Sequence, residues 1–93
     1  MLISSQLIPS AKIAVIIPCL NEALAIGQTL DELRTTLPQA YLYVFDNNST
    51  DGTGAVAQSH GASVKNAKLR GKGNVIRRMF ADVDADVYVM VDG

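Results

Sequence analysis

Three times along this chain an apolar, strand-like run stops abruptly at a cluster of polar residues. Ile13, Val15, Ile16 and Ile17 lead into Pro18-Cys19-Leu20-Asn21-Glu22. The run at 41–45 leads into Asp46-Asn47-Asn48-Ser49-Thr50-Asp51-Gly52-Thr53, and the run at 87–91 leads into Asp92-Gly93. Short continuous apolar runs suit strands buried on both faces, as in a parallel sheet. Parallel strands need long crossovers, usually helices, and helical signals lie between the runs. Pro18 is expected to stop the first strand and Asn21 to cap the first helix. Ile26, Leu30, Leu33 and Leu37 then share one helical face, and Pro38 ends it. Asp51 or Thr53 opens a second helix that runs to about His60 and closes at Gly61. A short strand follows at 62–64. Val75, Ile76, Met79, Phe80 and Val83 then form a third helical stripe before the last strand. The resulting β-α-β-α-β-α-β order predicts an α/β fold with a Rossmann-like parallel sheet and right-handed crossovers.

Composition narrows the functional classes. With 93 residues the chain forms one small domain at most. Its net charge of −1 does not suit a nucleic-acid partner. No apolar run approaches the roughly 20 residues of a membrane-spanning helix, and the first residues lack the basic start and long apolar centre of a secretion signal. The single cysteine fits a reducing cytoplasm. Six of the eight basic residues lie between Lys65 and Arg78, around Gly71 and Gly73. Such a run is either a solvated face or an anion site leading into a helix.

In an open α/β sheet, ligands bind in the crevice outside the carboxyl ends of the strands. The polar clusters fall there. Asp46, a carboxylate ending a buried strand, needs a partner or a ligand. Residues 48–52 also have the chemistry of a plain turn. Asn21 and Glu22 suit a helix start, and Glu22 could also accept hydrogen bonds from ribose hydroxyls. Cys19 reads as a small packing residue, His60 as a helix C-terminal cap, and Asp82, Asp84 and Asp86 as a solvated turn. Arg70-Gly71-Lys72-Gly73-Asn74 is neither a dinucleotide fingerprint nor a P-loop, because the glycines follow the third strand and the Gly-Lys-Ser/Thr order is absent. Its Arg70 and Lys72 could still neutralise a diphosphate. Asp92 is a candidate ligand for a hard cation, which takes one or two carboxylates plus substrate phosphates.

Together, Ile16-Ile17-Pro18-Cys19-Leu20-Asn21-Glu22, residues 45–53, Arg70-Gly71-Lys72-Gly73-Asn74 and Val91-Asp92-Gly93 resemble, in order and spacing, the family 2 glycosyltransferases. The likeness is greatest to the dolichol- or polyprenyl-phosphate mannosyl- or glucosyltransferase branch. It covers the chain from about Ala11, with residues 1–10 as an N-terminal extension and 11–93 as part of a nucleotide-sugar-binding GT-A domain. The resemblance implies that Pro18, Cys19, Asn21, Glu22, Asp46, Asn47, Ser49, Arg70, Lys72 and Gly73 line the nucleotide site. It also implies that Asp92 is the first acid of an Asp-x-Asp motif holding Mg²⁺ or Mn²⁺. Asn47 stands where many relatives have a second Asp, which changes the hydrogen bonding offered to a base.

The resemblance further implies an inverting transfer from a UDP-, GDP- or dTDP-sugar to an acceptor such as a polyprenyl phosphate. That reaction needs a base and a metal. In the family the second metal acid and the base follow the position of Gly93. These 93 residues are therefore expected to bind the donor without catalysing transfer by themselves, and to self-associate through an exposed sheet edge. The alternative is a non-catalytic nucleotide-binding module. An oxidoreductase domain is disfavoured by the glycine spacing.

Overall fold

The computed structural model describes residues 11–66 and 81–91. Four strands form one parallel sheet: β1 (Ile13–Cys19), β2 (Tyr41–Asp46), β3 (Ser63–Asn66) and β4 (Val87–Met90). Their spatial order is β3-β2-β1-β4. The chain steps one way from β1 to β3 and then returns to the other side of β1. The switch point therefore lies between β1 and β4, where the fold class opens its ligand crevice. Helix α1 (Ala23–Thr36) joins β1 to β2, and helix α2 (Thr53–Ser59) joins β2 to β3. The third helical stripe lies mainly outside the described residues, although Ala81 and Asp82 are helical.

The period-2 geometry of a strand sorts the apolar residues onto two faces. Val15, Ile17 and Cys19 of β1, with Leu42 and Val44 of β2, pack with Ile26 and Leu30 of α1 and Ala57 of α2. Leu33 and Leu37 flank this core, so the expected helical face is the buried one. On the opposite face Ala14, Ile16 and Phe45 pack with Val83. Both faces of β1 are filled, which is why its sequence is apolar without alternation. Each large aliphatic side chain fully buried here contributes about 1.5–3 kcal/mol of transfer free energy.

Two local expectations need correction. Pro18 does not stop β1, which continues to Cys19 and pairs Pro18 with Phe45. The Ile16 carbonyl accepts from Val91 N–H on the β4 side, and the Cys19 carbonyl accepts from Asn47 N–H on the β2 side. Successive residues alternate between the two neighbours, so the Pro18 nitrogen faces the β4 side. Pairing there has already ended at Ile16 and Met90, and the missing N–H breaks no bond of the β1–β2 ladder. Likewise Asn21 is not the cap of α1. Glu22 holds that position, with no side-chain capping bond, because the donors at this helix start are met from another loop. Gly61, with φ of 87°, closes α2 as expected.

Candidate nucleotide site at the carboxyl edge

β1 and β2 end side by side, with Cys19 in register with Asp46. Two loops leave this edge, residues 20–22 toward α1 and residues 47–52 toward α2. The last backbone bond at this edge runs from Asn47 N–H to the carbonyl of Cys19, at the end of β1, at 2.8 Å. Side chains make the other links. Asn21 N–H donates to Ser49 Oγ at 2.9 Å, and Thr50 N–H donates to Asn21 Oδ1 at 2.9 Å. Glu22 N–H donates to Thr53 Oγ1 at 2.8 Å, and Ala23 N–H donates to Asp51 Oδ2 at 3.0 Å. The Thr53 hydroxyl itself donates to Asp51 Oδ1. The first N–H groups of a helix have no partner within it, and here the loop after β2 supplies acceptors to the start of α1.

These bonds place the expected residues. Pro18 and Cys19 end β1, and Asn21 and Glu22 follow at once. Asp46 ends β2 at 8% exposure, and its Oδ1 accepts Ser49 N–H at 3.0 Å. The partner that a buried carboxylate requires is therefore partly internal. Asp46 Oδ2 lies 3.0 Å from where a Cβ on Gly54 would stand, so the bare backbone of Gly54 leaves room for this carboxylate. Asn47 and Ser49 are half-buried beside it. Arg70, Lys72, Gly73 and Asp92 lie outside the described residues.

The electrostatics separate the carboxylates from the thiol. Burial pushes the Cys19 thiol up to about 12, aided by the charge of Glu22, a hydrogen bond to it, and the charge of Asp46. A thiol kept neutral chiefly by burial suits a packing group better than a nucleophile. The Asp51 carboxyl is held below its usual value, first by the Thr53 hydroxyl and then by Ala23 N–H. Among the described residues no group of three or more His, Cys, Asp or Glu side chains could hold a metal ion.

Sequence reasoning missed two contributors. Thr53 is fully buried and serves the start of α1 from 31 residues away. Asp51 bridges α1 and α2. The Asp51-x-Thr53 spacing signals a local helix start, and nothing in it names a distant partner. Asp86, expected in a solvated turn with Asp82 and Asp84, also accepts Lys12 N–H at 2.7 Å and so ties the approach to β4 onto β1. The backbone of His60 is at the α2 C-cap, while its ring Nδ1 meets Asp31 Oδ1 of α1 at 2.9 Å.

The chain and its fold are similar to known proteins. The model of the family described as "Glycosyl transferase family 2" matches residues 14–93. Protein RfbJ of Shigella flexneri is 60% identical over 84 residues, which is 90% of this chain and 65% of RfbJ. Glucosyl-3-phosphoglycerate synthase from Mycobacterium tuberculosis, solved with Mn²⁺, UDP and glucosyl-3-phosphoglycerate, superposes with a TM-score of 0.80 at 29% identity, over 90% of this chain and 34% of that one. Mannosyl-3-phosphoglycerate synthase from Rubrobacter xylanophilus gives 0.79 at 27% identity, over 90% and 31%. The chain thus spans just under two thirds of RfbJ and about a third of the two solved enzymes. A reversing parallel sheet whose first two strands end in stitched polar loops, together with the family match over 80 of 93 residues (14–93), makes this chain a member of glycosyltransferase family 2 carrying the N-terminal part of its Rossmann-like GT-A fold.

Proposed function

We propose that the carboxyl edge of β1 and β2 binds the nucleoside diphosphate of a sugar donor, as the donor-binding portion of an inverting glycosyltransferase. The observation that carries this reading is that two acidic residues, Glu22 in the loop after β1 and Asp46 at the end of β2, sit where hydrogen bonds tie the two loops together in advance. Prior fixing lowers the ordering cost of binding. Carboxylates and an amide suit a nucleoside: Glu22 would accept from ribose hydroxyls, and Asp46 with Asn47 would meet the base edge. Pro18 and Cys19 would form the floor. Ser49 would stand at the rim, and Asn21 beside Glu22. Arg70, Lys72 and Gly73 would face the diphosphate.

UDP is the donor nucleotide of first choice. The mycobacterial synthase is solved with UDP, and also with Mn²⁺, UDP-glucose and phosphoglyceric acid. GDP and dTDP are the alternatives. A divalent cation, Mn²⁺ or Mg²⁺, would be held through Asp92 and would stabilise the leaving diphosphate. The acceptor would bear a phosphate. A polyprenyl phosphate is the reading from the resemblance, and the phosphoglycerate named for the two synthases is its competitor. A buried, protonated lone cysteine is in keeping with a cytoplasmic setting.

Calorimetric titration of the chain with UDP tests the reading. Binding that tightens at least tenfold when Mn²⁺ is added, with the gain lost in Asp92→Ala, supports it. Equal binding with and without metal removes the assignment of Asp92. Undiminished binding in Asp46→Ala removes the base pocket.

A further inference from the structure

Asn21 lies between the two strand ends in a conformation that few residues adopt. Its φ is 52°, in the left-handed region, which costs an ordinary side chain about 1–2 kcal/mol. Glycine meets that backbone demand at least cost. Asn21 also makes a reciprocal pair of bonds to the other loop: its N–H gives to Ser49 Oγ, and its Oδ1 receives Thr50 N–H at 2.9 Å and Thr50 Oγ1 at 3.4 Å. A residue here must therefore accept a left-handed backbone and offer an oxygen at the end of a short side chain. Asn and Asp satisfy both conditions. Glu22 is the next residue along one loop, and Ser49 is bonded to Asp46 along the other.

We infer that Asn21 is a positioning residue, which clamps the loop after β1 to the loop after β2 and so fixes the placement of Glu22 relative to Asp46 for the nucleotide. The inference rests on the nucleotide-binding reading above. The side-chain oxygen of Asn21 carries the clamp, and the left-handed backbone aims it at Thr50.

Backbone relief and loss of the clamp act in opposite directions in Asn21→Gly, so stability and binding separate. Asn21→Asp keeps both the oxygen and the tolerance for the left-handed region. Three readouts on the full 93-residue chain decide the matter: the melting temperature, the UDP dissociation constant with Mn²⁺ present, and hydrogen exchange at the Thr50 amide. The expected result for Asn21→Gly is a melting temperature close to wild type, UDP binding weakened about tenfold, and Thr50 exchange accelerated about tenfold, the effect of one lost hydrogen bond. Amides of Val15 and Val44 should exchange as before. Asn21→Asp should bring both affinity and exchange back to within about threefold of wild type. Unchanged affinity and exchange in Asn21→Gly overturn the inference, as does an Asn21→Asp chain no better than Asn21→Gly. A wild-type chain that binds no UDP overturns the nucleotide reading and the link to a ligand with it, and Thr50 exchange then still decides whether Asn21 holds the two loops together.

Discussion

The interior of the sheet and its carboxyl edge are built from adjoining stretches of β1 and β2, yet they are held in different ways. In the interior, Val15, Ile17, Val44 and Leu30 have no exposed surface, and their interaction is non-directional burial. At the edge, the loops after β1 and β2 are joined by hydrogen bonds between residues 28 to 31 positions apart in sequence. The interior is close-packed and loses stability as side-chain volume is removed. The edge depends on direction, since each donor has a single acceptor atom. The difference shows a division of labour: the packed strands provide the free energy, and the stitched loops spend part of it on a fixed arrangement of carboxylates.

The largest effect should come from breaking the interior. Leu30→Ala is expected to cost about 2–5 kcal/mol, as for other fully buried leucines. In a domain this small that is a large share of the total. Urea denaturation checks it, and a loss below 1 kcal/mol would mean that α1 is not the main cover of this face. Thr53→Val comes next. It keeps the shape but removes the hydroxyl that accepts Glu22 N–H. A donor left without a partner costs about 1–3 kcal/mol. Thermal melting together with exchange at the Glu22 amide would register it, and an unchanged amide would show that another group replaces the hydroxyl.

Asp51→Asn should have the smallest effect and a distinctive pH dependence. The folded-state value of Asp51 lies below the ordinary 3.8. Its contribution is therefore complete at neutral pH and is lost as the pH falls below 3.8 through the lower folded value. The difference in melting temperature between wild type and Asp51→Asn should be full at pH 7 and should close on acidification. A difference that stays constant between pH 7 and pH 2 would mean that the carboxylate charge plays no part in holding the loops.

Much of the candidate site was legible in the residues, for reasons that can be named. The run ending at Asp46 and the run leading into Pro18 and Cys19 are strand ends by composition, and their pairing follows once the sheet is parallel. Gly61 as a helix stop is local backbone chemistry. Pro18 misled because its lack of an N–H reads as a strand stop, and only the identity of its neighbour on each side shows that no ladder bond is lost. Asn21 misled because Asn before a helical run is an ordinary cap signal, whereas here the first turn of α1 is served by Asp51 and Thr53. Asp86 misled because an exposed acid in a turn carries no mark of its partner, Lys12.

By itself the sequence determined the alternation of strands and helices, the two buried faces and the gathering of polar residues at the strand ends. These depend on short-range periodicity and on residue type, which operate within a few positions of the chain. Only the tertiary structure decided which polar side chains are committed to other loops and which carboxylates stand together. A hydrogen-bond donor is satisfied by whichever acceptor the folded chain brings to about 3 Å, and that distance is set by the packing of β1 against β2.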